Sequence, residues 1–303
     1  MYTGFFGLTS QPFSIAPNPD FMYLGARHTE ALAHLRYGLG EAGGFVLLTG
    51  EVGTGKTTVS RCLLAELPSN TQVAFILNPT LSELELLAAI CDELKIRYKK
   101  TDASLKMLTD KITAKLLKNH EAGINTILII DEAQHLQPAV LEQLRLLTNL
   151  ETNTKKLLQV ILIGQPELQQ LLQRQDLRQL AQRITARYHL MPLTLAEVAY
   201  YVQHRLAVAG CSRPVFNQGA INKLFQLSGG IPRLLNLLCD RALLGGYSQQ
   251  KALIDAKLVE QAGREILAIK QPELKAALPV WVFPVLFLLC VVIGVLATLF
   301  LTK

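Results

Sequence analysis

Charge is scarce in this chain. Only 18% of its 303 residues are Asp, Glu, Lys or Arg, and the mean hydropathy of +0.27 is high for a purely soluble enzyme. The five cysteines (Cys62, Cys91, Cys211, Cys239, Cys290) form no C-x-x-C and no Cys/His ligand spacing. That argues against a zinc site and against a disulfide framework, and favours packing thiols in the cytosol. No stretch repeats internally, and none is of low complexity. Met1-Tyr2-Thr3-Gly4 offers no basic region ahead of an apolar core, so no secretory leader is expected before the first domain.

The shortage of charge has a local source. Residues 280–301 (VWVFPVLFLLCVVIGVLATLFL) contain no charged side chain. As a helix they would span about 30 Å, the hydrocarbon thickness of a bilayer. Trp281 lies near the entry, Lys270 and Lys275 just before it, and Pro284 falls in the first turns, where it costs least. A C-terminal transmembrane helix is expected, single-pass, with the preceding domains in the cytoplasm. The remaining balance is basic, +6 in formal charge. It suits an anionic partner without choosing among nucleotide, acidic lipid and nucleic acid.

What is present is a phosphate-binding loop. Gly50-Glu51-Val52-Gly53-Thr54-Gly55-Lys56-Thr57-Thr58 fits G-x-x-x-x-G-K-[ST] at every fixed position. Glycines let successive backbone N–H groups turn in toward phosphate oxygens. Lys56 reaches the β- and γ-phosphates, and the Thr57 hydroxyl completes a Mg²⁺ shell. The context agrees: an apolar strand over 45–49 leads in, and a helix over 59–67 follows, its N-terminal dipole toward the phosphates. ATP and Mg²⁺ are the cofactors this motif implies.

A second element is acidic. Thr126-Ile127-Leu128-Ile129-Ile130 reads as a strand buried on both faces, ending in Asp131 and Glu132. Carboxylates at such a strand end fall where open α/β sheets bind ligands. Asp131 is then placed to support Mg²⁺, and Glu132 to activate water. A helix N-cap pair is the plainer reading, since Ala133-Gln134-His135 and Pro138 follow. Asp131-Glu132-Ala133-Gln134 also looks like a helicase box, but no other helicase element follows. His135 and His189 read as packing residues in apolar surroundings.

Further strands are expected at 73–77, 158–163 and 188–191, separated by helices at 82–94, 105–119 and 138–150, with another at 27–39. Strands alternating with helices give an α/β fold with a parallel, doubly wound sheet. From Thr194 only helices are expected: 195–209, 217–227, 231–244 and 256–268. The chain thus divides into an N-terminal packing segment at 1–40, irregular but packed over 5–19, a nucleotide-binding domain at 41–193 and a helical lid at 194–268. A linker at 269–279 leads to the span. Three kinds of residue would complete an ATPase. Gln165, past the tip of the 158–163 strand, could orient water. Arg233, in Gly229-Gly230-Ile231-Pro232-Arg233, opens a lid helix and could report the γ-phosphate. Arg183 and Arg187, spaced i, i+4 on one helical face, could serve a neighbouring subunit as arginine fingers.

Together these motifs resemble the AAA+ ATPases, that is, a P-loop NTPase sheet with a helical lid. Several stretches resemble, more narrowly, the general secretion pathway protein A family of Gram-negative bacteria, with a close relative in mannose-sensitive haemagglutinin pilus assembly. These are Phe6-Gly7-Leu8 with Pro12-Phe13, the phosphate loop, Leu146-Leu147-Thr148-Asn149-Leu150-Glu151-Thr152 and Gly164-Gln165-Pro166-Glu167-Leu168. Arg183-Ile184-Thr185-Ala186-Arg187-Tyr188-His189-Leu190 and Gly230-Ile231-Pro232-Arg233 extend the set. The resemblance implies an oligomeric inner-membrane ATPase that works with a general secretion pathway protein B-like membrane partner to place an outer-membrane secretin. Relatives carry a periplasmic peptidoglycan-binding domain after the anchor. The sequence given ends at Lys303, so peptidoglycan binding is expected only if the sequence is truncated or a partner supplies that domain. Two other classes stand beside this reading. One is a DNA-associated AAA+ regulator, permitted by the basic stretch 174–187 but opposed by the anchor and by the want of a helix-turn-helix. The other is a switch that binds ATP and barely hydrolyses it.

Overall fold

The computed structural model describes residues 1–16, 18–40, 44–77, 79–152 and 156–267. The linker and apolar span expected at 269–301 lie outside the described residues. Among the described residues no helix is long and apolar enough to cross a membrane. Residues Met1–Ala262 form the first of two units.

In chain order the first unit runs α1 (Tyr2–Phe6), α2 (Ala26–Gly38), β1 (Phe45–Gly50), α3 (Lys56–Glu66), β2 (Thr71–Ile76) and α4 (Glu83–Glu93). It continues through α5 (Leu105–Glu121), β3 (Asn125–Ile130), α6 (Pro138–Leu147), β4 (Gln159–Gly164), α7 (Pro166–Leu172), α8 (Arg178–Ala181) and β5 (Ile184–Leu190). The five strands make one parallel sheet in the order β2-β3-β4-β1-β5. Successive strand side chains point to opposite faces, so every central strand must be apolar on both. In β3, Leu128 and Ile130 join a core with α4, α5 and α6 on one side of the sheet. Ile127 and Ile129 join a core with α2 and α3 on the other. Burying each such side chain contributes about 1.5–3 kcal/mol, which is why the continuous apolar runs become interior strands.

After β5 the chain is helical: α9 (Leu195–Val208), α10 (Gln218–Ser228), α11 (Pro232–Ser248) and α12 (Ala256–Ile266). Local chemistry starts these helices where they start. Thr194 and Glu197 form a reciprocal capping box on α9, Asn217 caps α10 by accepting from the Ala220 N–H, and Pro232 occupies the first turn of α11. Gly229 closes α10 in the left-handed region.

Two expectations are corrected here. Arg183 and Arg187 do not share a helical face, because α8 ends at Ala181 and residues 184–190 are strand β5. Ile184, Ala186, Tyr188 and Leu190 alternate with Thr185, Arg187 and His189, and pairing with β1 (Val46↔Ala186, Leu48↔Tyr188) fixes that two-residue period. The N-terminal segment is not irregular throughout: Tyr2–Phe6 is helical, and Phe6 is 1% exposed. The segment packs on the helical part, with the Thr9 N–H donating to Ala209 O. The nearly buried Arg205 donates to the carbonyls of Pro12 and Ser14.

Candidate active site

The carboxyl ends of β1, β3 and β4 converge at one edge of the sheet, and the loop over Gly50 to Gly55 lies there. It turns directly into α3, whose N-cap is Gly55 with φ +104°. A Cβ at Gly55 would lie 2.8 Å from Nε2 of His28, so only glycine fits. His28, on α2, is 4% exposed, and its Nε2 lies 3.2 Å from the Thr54 carbonyl. An acceptor there requires the proton on Nε2. Burial draws the imidazole below its ordinary range, against the Thr54 hydrogen bond and the charge of Glu197. His28 therefore sits as a neutral pin beneath the loop. Its spacing on α2 is that of any core residue, so no sequence signal marked it.

Lys56 is 7% exposed, and its Nζ donates to the carbonyls of Gly50 (2.8 Å) and Glu51 (3.0 Å). Burial lowers its pKa, while Glu132, Asp131, Glu51 and Glu167 pull it back up. The Thr57 hydroxyl donates to Oδ2 of Asp131 at 3.0 Å, so the two residues read as metal-supporting do meet across α3 and β3. Asp131 also accepts from the Glu132 N–H at 2.9 Å. Burial raises the Asp131 carboxyl, opposed by those two hydrogen bonds and by Lys56. Two hard oxygen groups beside a phosphate loop fit Mg²⁺, which takes few protein ligands and shares its shell with phosphates and water. Among the described residues there is no cluster of three or more His, Cys, Asp or Glu that would form a self-contained metal cage.

Glu132 stands in the left-handed region, φ +53°, and heads a 3-10 turn over Ala133–His135. Its Oε2 accepts from Nε2 of Gln134 at 2.6 Å and from Nε2 of Gln165 at 3.1 Å. Burial alone would raise this carboxyl. The two amides, with Lys56 and His135, more than offset that and hold it below the ordinary glutamate range. Gln165, past the tip of β4, is thus brought to Glu132. Gln134 was visible in the sequence only as part of a misleading box.

Arg233 also arrives. Its N–H donates to Gly53 O at 3.3 Å, which seats the start of α11 on the loop. Arg183 and Arg187 do not arrive. Arg183 precedes β5 and donates from Nη1 to Arg145 O (3.1 Å) and to Asn149. Arg187, in mid-strand, donates from Nη2 to Ala181 O at 2.6 Å. Register pairs Ile184 with Phe45 and Leu190 with Gly50, so Arg183 lies about 20 Å along the strands from the loop of its own chain. The histidine expectations are corrected as well. His135 is exposed, and His189 is half-buried in a polar group, its Nδ1 3.0 Å from Oγ1 of Thr49, which also accepts from Gln169.

Residues 40–172 match the model of a family described as an AAA domain. General secretion pathway protein A of Aeromonas hydrophila is 61% identical to this chain over 270 residues, 89% of this chain. The chain spans about half (49%) the length of that relative. Among solved structures, Cdc6p from Pyrobaculum aerophilum superposes with a TM-score of 0.68 at 18% identity, over 84% of this chain and 70% of that one. The Thermotoga maritima RuvB Holliday junction branch migration motor gives 0.51 at 22% identity, over 80% and 70%. At such identities these two structures establish the shared fold.

Proposed function

We propose that this chain, which belongs to the AAA+ ATPases of the general secretion pathway protein A family, is a membrane-anchored, Mg²⁺-dependent enzyme. It couples ATP hydrolysis to assembly of a secretion or pilus machine in the bacterial envelope. One observation carries the catalytic part of the reading. Lys56, the Thr57–Asp131 pair and Glu132 lie together at the carboxyl edge of a parallel sheet: Lys56 is bound to the loop carbonyls, Thr57 donates to Asp131, and Asp131 accepts from the Glu132 N–H.

In this reading the loop from Gly50 to Thr58 cradles the phosphates. Lys56 is freed from the Gly50 and Glu51 carbonyls to meet the β- and γ-oxygens. Thr57 and Asp131 hold Mg²⁺, which when bound offsets phosphate charge. Glu132 takes the proton of the attacking water, with Gln165 helping to orient it. Arg233 contributes from the helical lid (194–268), whose seat on Gly53 lets nucleotide state move α11. The apolar run at 280–301 supports a single-pass inner-membrane anchor, with the ATPase in the cytoplasm and a general secretion pathway protein B-like partner beside it. Secretin placement is part of this proposal, and the 61% identity to a general secretion pathway protein supports the secretion role.

The test is phosphate release from ATP by the full chain in lipid vesicles. Turnover should vanish on chelation of Mg²⁺ and return on its restoration. ATP binding without turnover in either condition would leave the interaction-switch reading. A second expectation concerns the arginines. Since Arg183 lies remote from its own loop, Arg183→Ala or Arg187→Ala protein should lose turnover alone and regain it when mixed with Glu132→Gln protein, whose intact arginine serves the neighbouring site. No regain on mixing would exclude an arginine finger at that position.

A further inference from the structure

Gln134 makes two hydrogen bonds of opposite sense. Its Nε2 donates to Oε2 of Glu132 at 2.6 Å, and its Oε1 accepts from the backbone N–H of Gln165 at 3.1 Å. Only one orientation of the amide satisfies both partners, because a carboxylate cannot donate and an N–H cannot accept. The approach to β4 depends on Gly164, where a Cβ would lie 2.8 Å from Gln134 Oε1. Gln165 adds its own side-chain amide to the same Oε2. Two donors from different elements therefore converge on one oxygen of a residue whose backbone is itself held at φ +53°. A non-glycine residue persists there only where its surroundings over-determine it. With Oε2 occupied by two donors, Oε1 is the oxygen left to accept a proton.

We propose that Gln134 is a positioning residue for hydrolysis: braced against the tip of β4, it holds Glu132 Oε2 so that Oε1 is presented to the attacking water. This role rests on the reading of Glu132 as the base. It gives the fourth residue of Asp131-Glu132-Ala133-Gln134 a function unconnected with helicase chemistry. The bracing also joins the tips of β3 and β4, so a shift of β4 reaches the base through one side chain.

The experiment uses the full chain in vesicles and two variants. Gln134→Ala removes donor and acceptor together. Gln134→Glu keeps an acceptor for the Gln165 N–H and replaces the donor by a carboxylate set against Glu132. Both should lower kcat about 10²-fold, the scale of misplacing a reacting group by an ångström. The KM and Kd for ATP should stay within about 3-fold of the parent. In a Glu132→Gln background, measured by sensitive single-turnover assay, adding Gln134→Glu should cost no more than about 3-fold further. Such non-additivity marks two residues acting as one unit. Full turnover in Gln134→Glu would overturn the proposal, since the brace alone would then matter. Faster turnover in either variant would overturn it too, making the contact a restraint. An undiminished second loss in the Glu132→Gln background would reduce Gln134 to a structural part. Retained turnover in Glu132→Gln alone would be a different failure, that of the base itself.

Discussion

Glu132→Gln protein should bind ATP with a Kd within a few-fold of the parent while phosphate release slows about 10²–10⁴-fold, the contribution of a positioned general base. The substitution preserves size and leaves an oxygen to accept from Gln134 and Gln165, whose amides now hold Oε2. What it removes is the oxygen that can take a proton, since an amide has no basic lone pair at neutral pH. The phosphate-binding Lys56 and Thr57 lie on another element, α3, and Asp131 meets Glu132 only through a backbone N–H that the substitution keeps. Binding and hydrolysis should therefore separate cleanly. Pre-steady-state phosphate release alongside equilibrium binding of labelled ATP gives both numbers. Undiminished turnover in this protein would sink the assignment.

The second large effect lies outside the chemistry. Gly230 has φ +78°, and a Cβ built on it would stand 2.0 Å from the carbonyl oxygen of Leu193, with the Leu193 C and N at 3.0 and 3.1 Å. Those are backbone atoms joined to the α9 cap and to the Leu193 N–H···O Gly230 hydrogen bond, so they cannot rotate away. Gly230→Ala should cost about 4 kcal/mol or more, lowering the melting temperature by roughly 10 °C for a chain of this size. Gly229→Ala is the internal control. Its φ is +59°, but nothing lies within 4 Å of the added methyl, so the cost is only the left-handed backbone, about 1–2 kcal/mol. Equal losses in the two proteins would refute the steric account. Because α11 begins just beyond Gly230 and rests on Gly53, Gly230→Ala should also weaken ATP binding, which Gly229→Ala should not.

Most of the nucleotide edge was legible in the sequence. A phosphate loop needs glycines, a lysine and a hydroxyl at fixed spacing along one segment, and a buried strand needs an unbroken apolar run. Both are local demands, and both appear as expected around Gly50, Lys56, Thr57 and Asp131. The arginines show how a local pattern can mislead. Arg183 and Arg187 carry the four-residue spacing of a helix face, but the neighbouring residues also alternate with period two, and β1 was there to pair with them. Sequence spacing permitted both readings, and a hydrogen-bonded neighbour chose.

Residues close together in the chain therefore specify the four apolar strands, the phosphate loop and the two carboxylates. Only the tertiary structure decided which distant side chains complete that loop. His28 comes from α2 to pin Thr54, Gln134 and Gln165 close on Glu132 from two strand ends, and Arg233 settles on Gly53 from the helical part. Their positions depend on how layers pack across the sheet, and packing joins residues that no motif can list together.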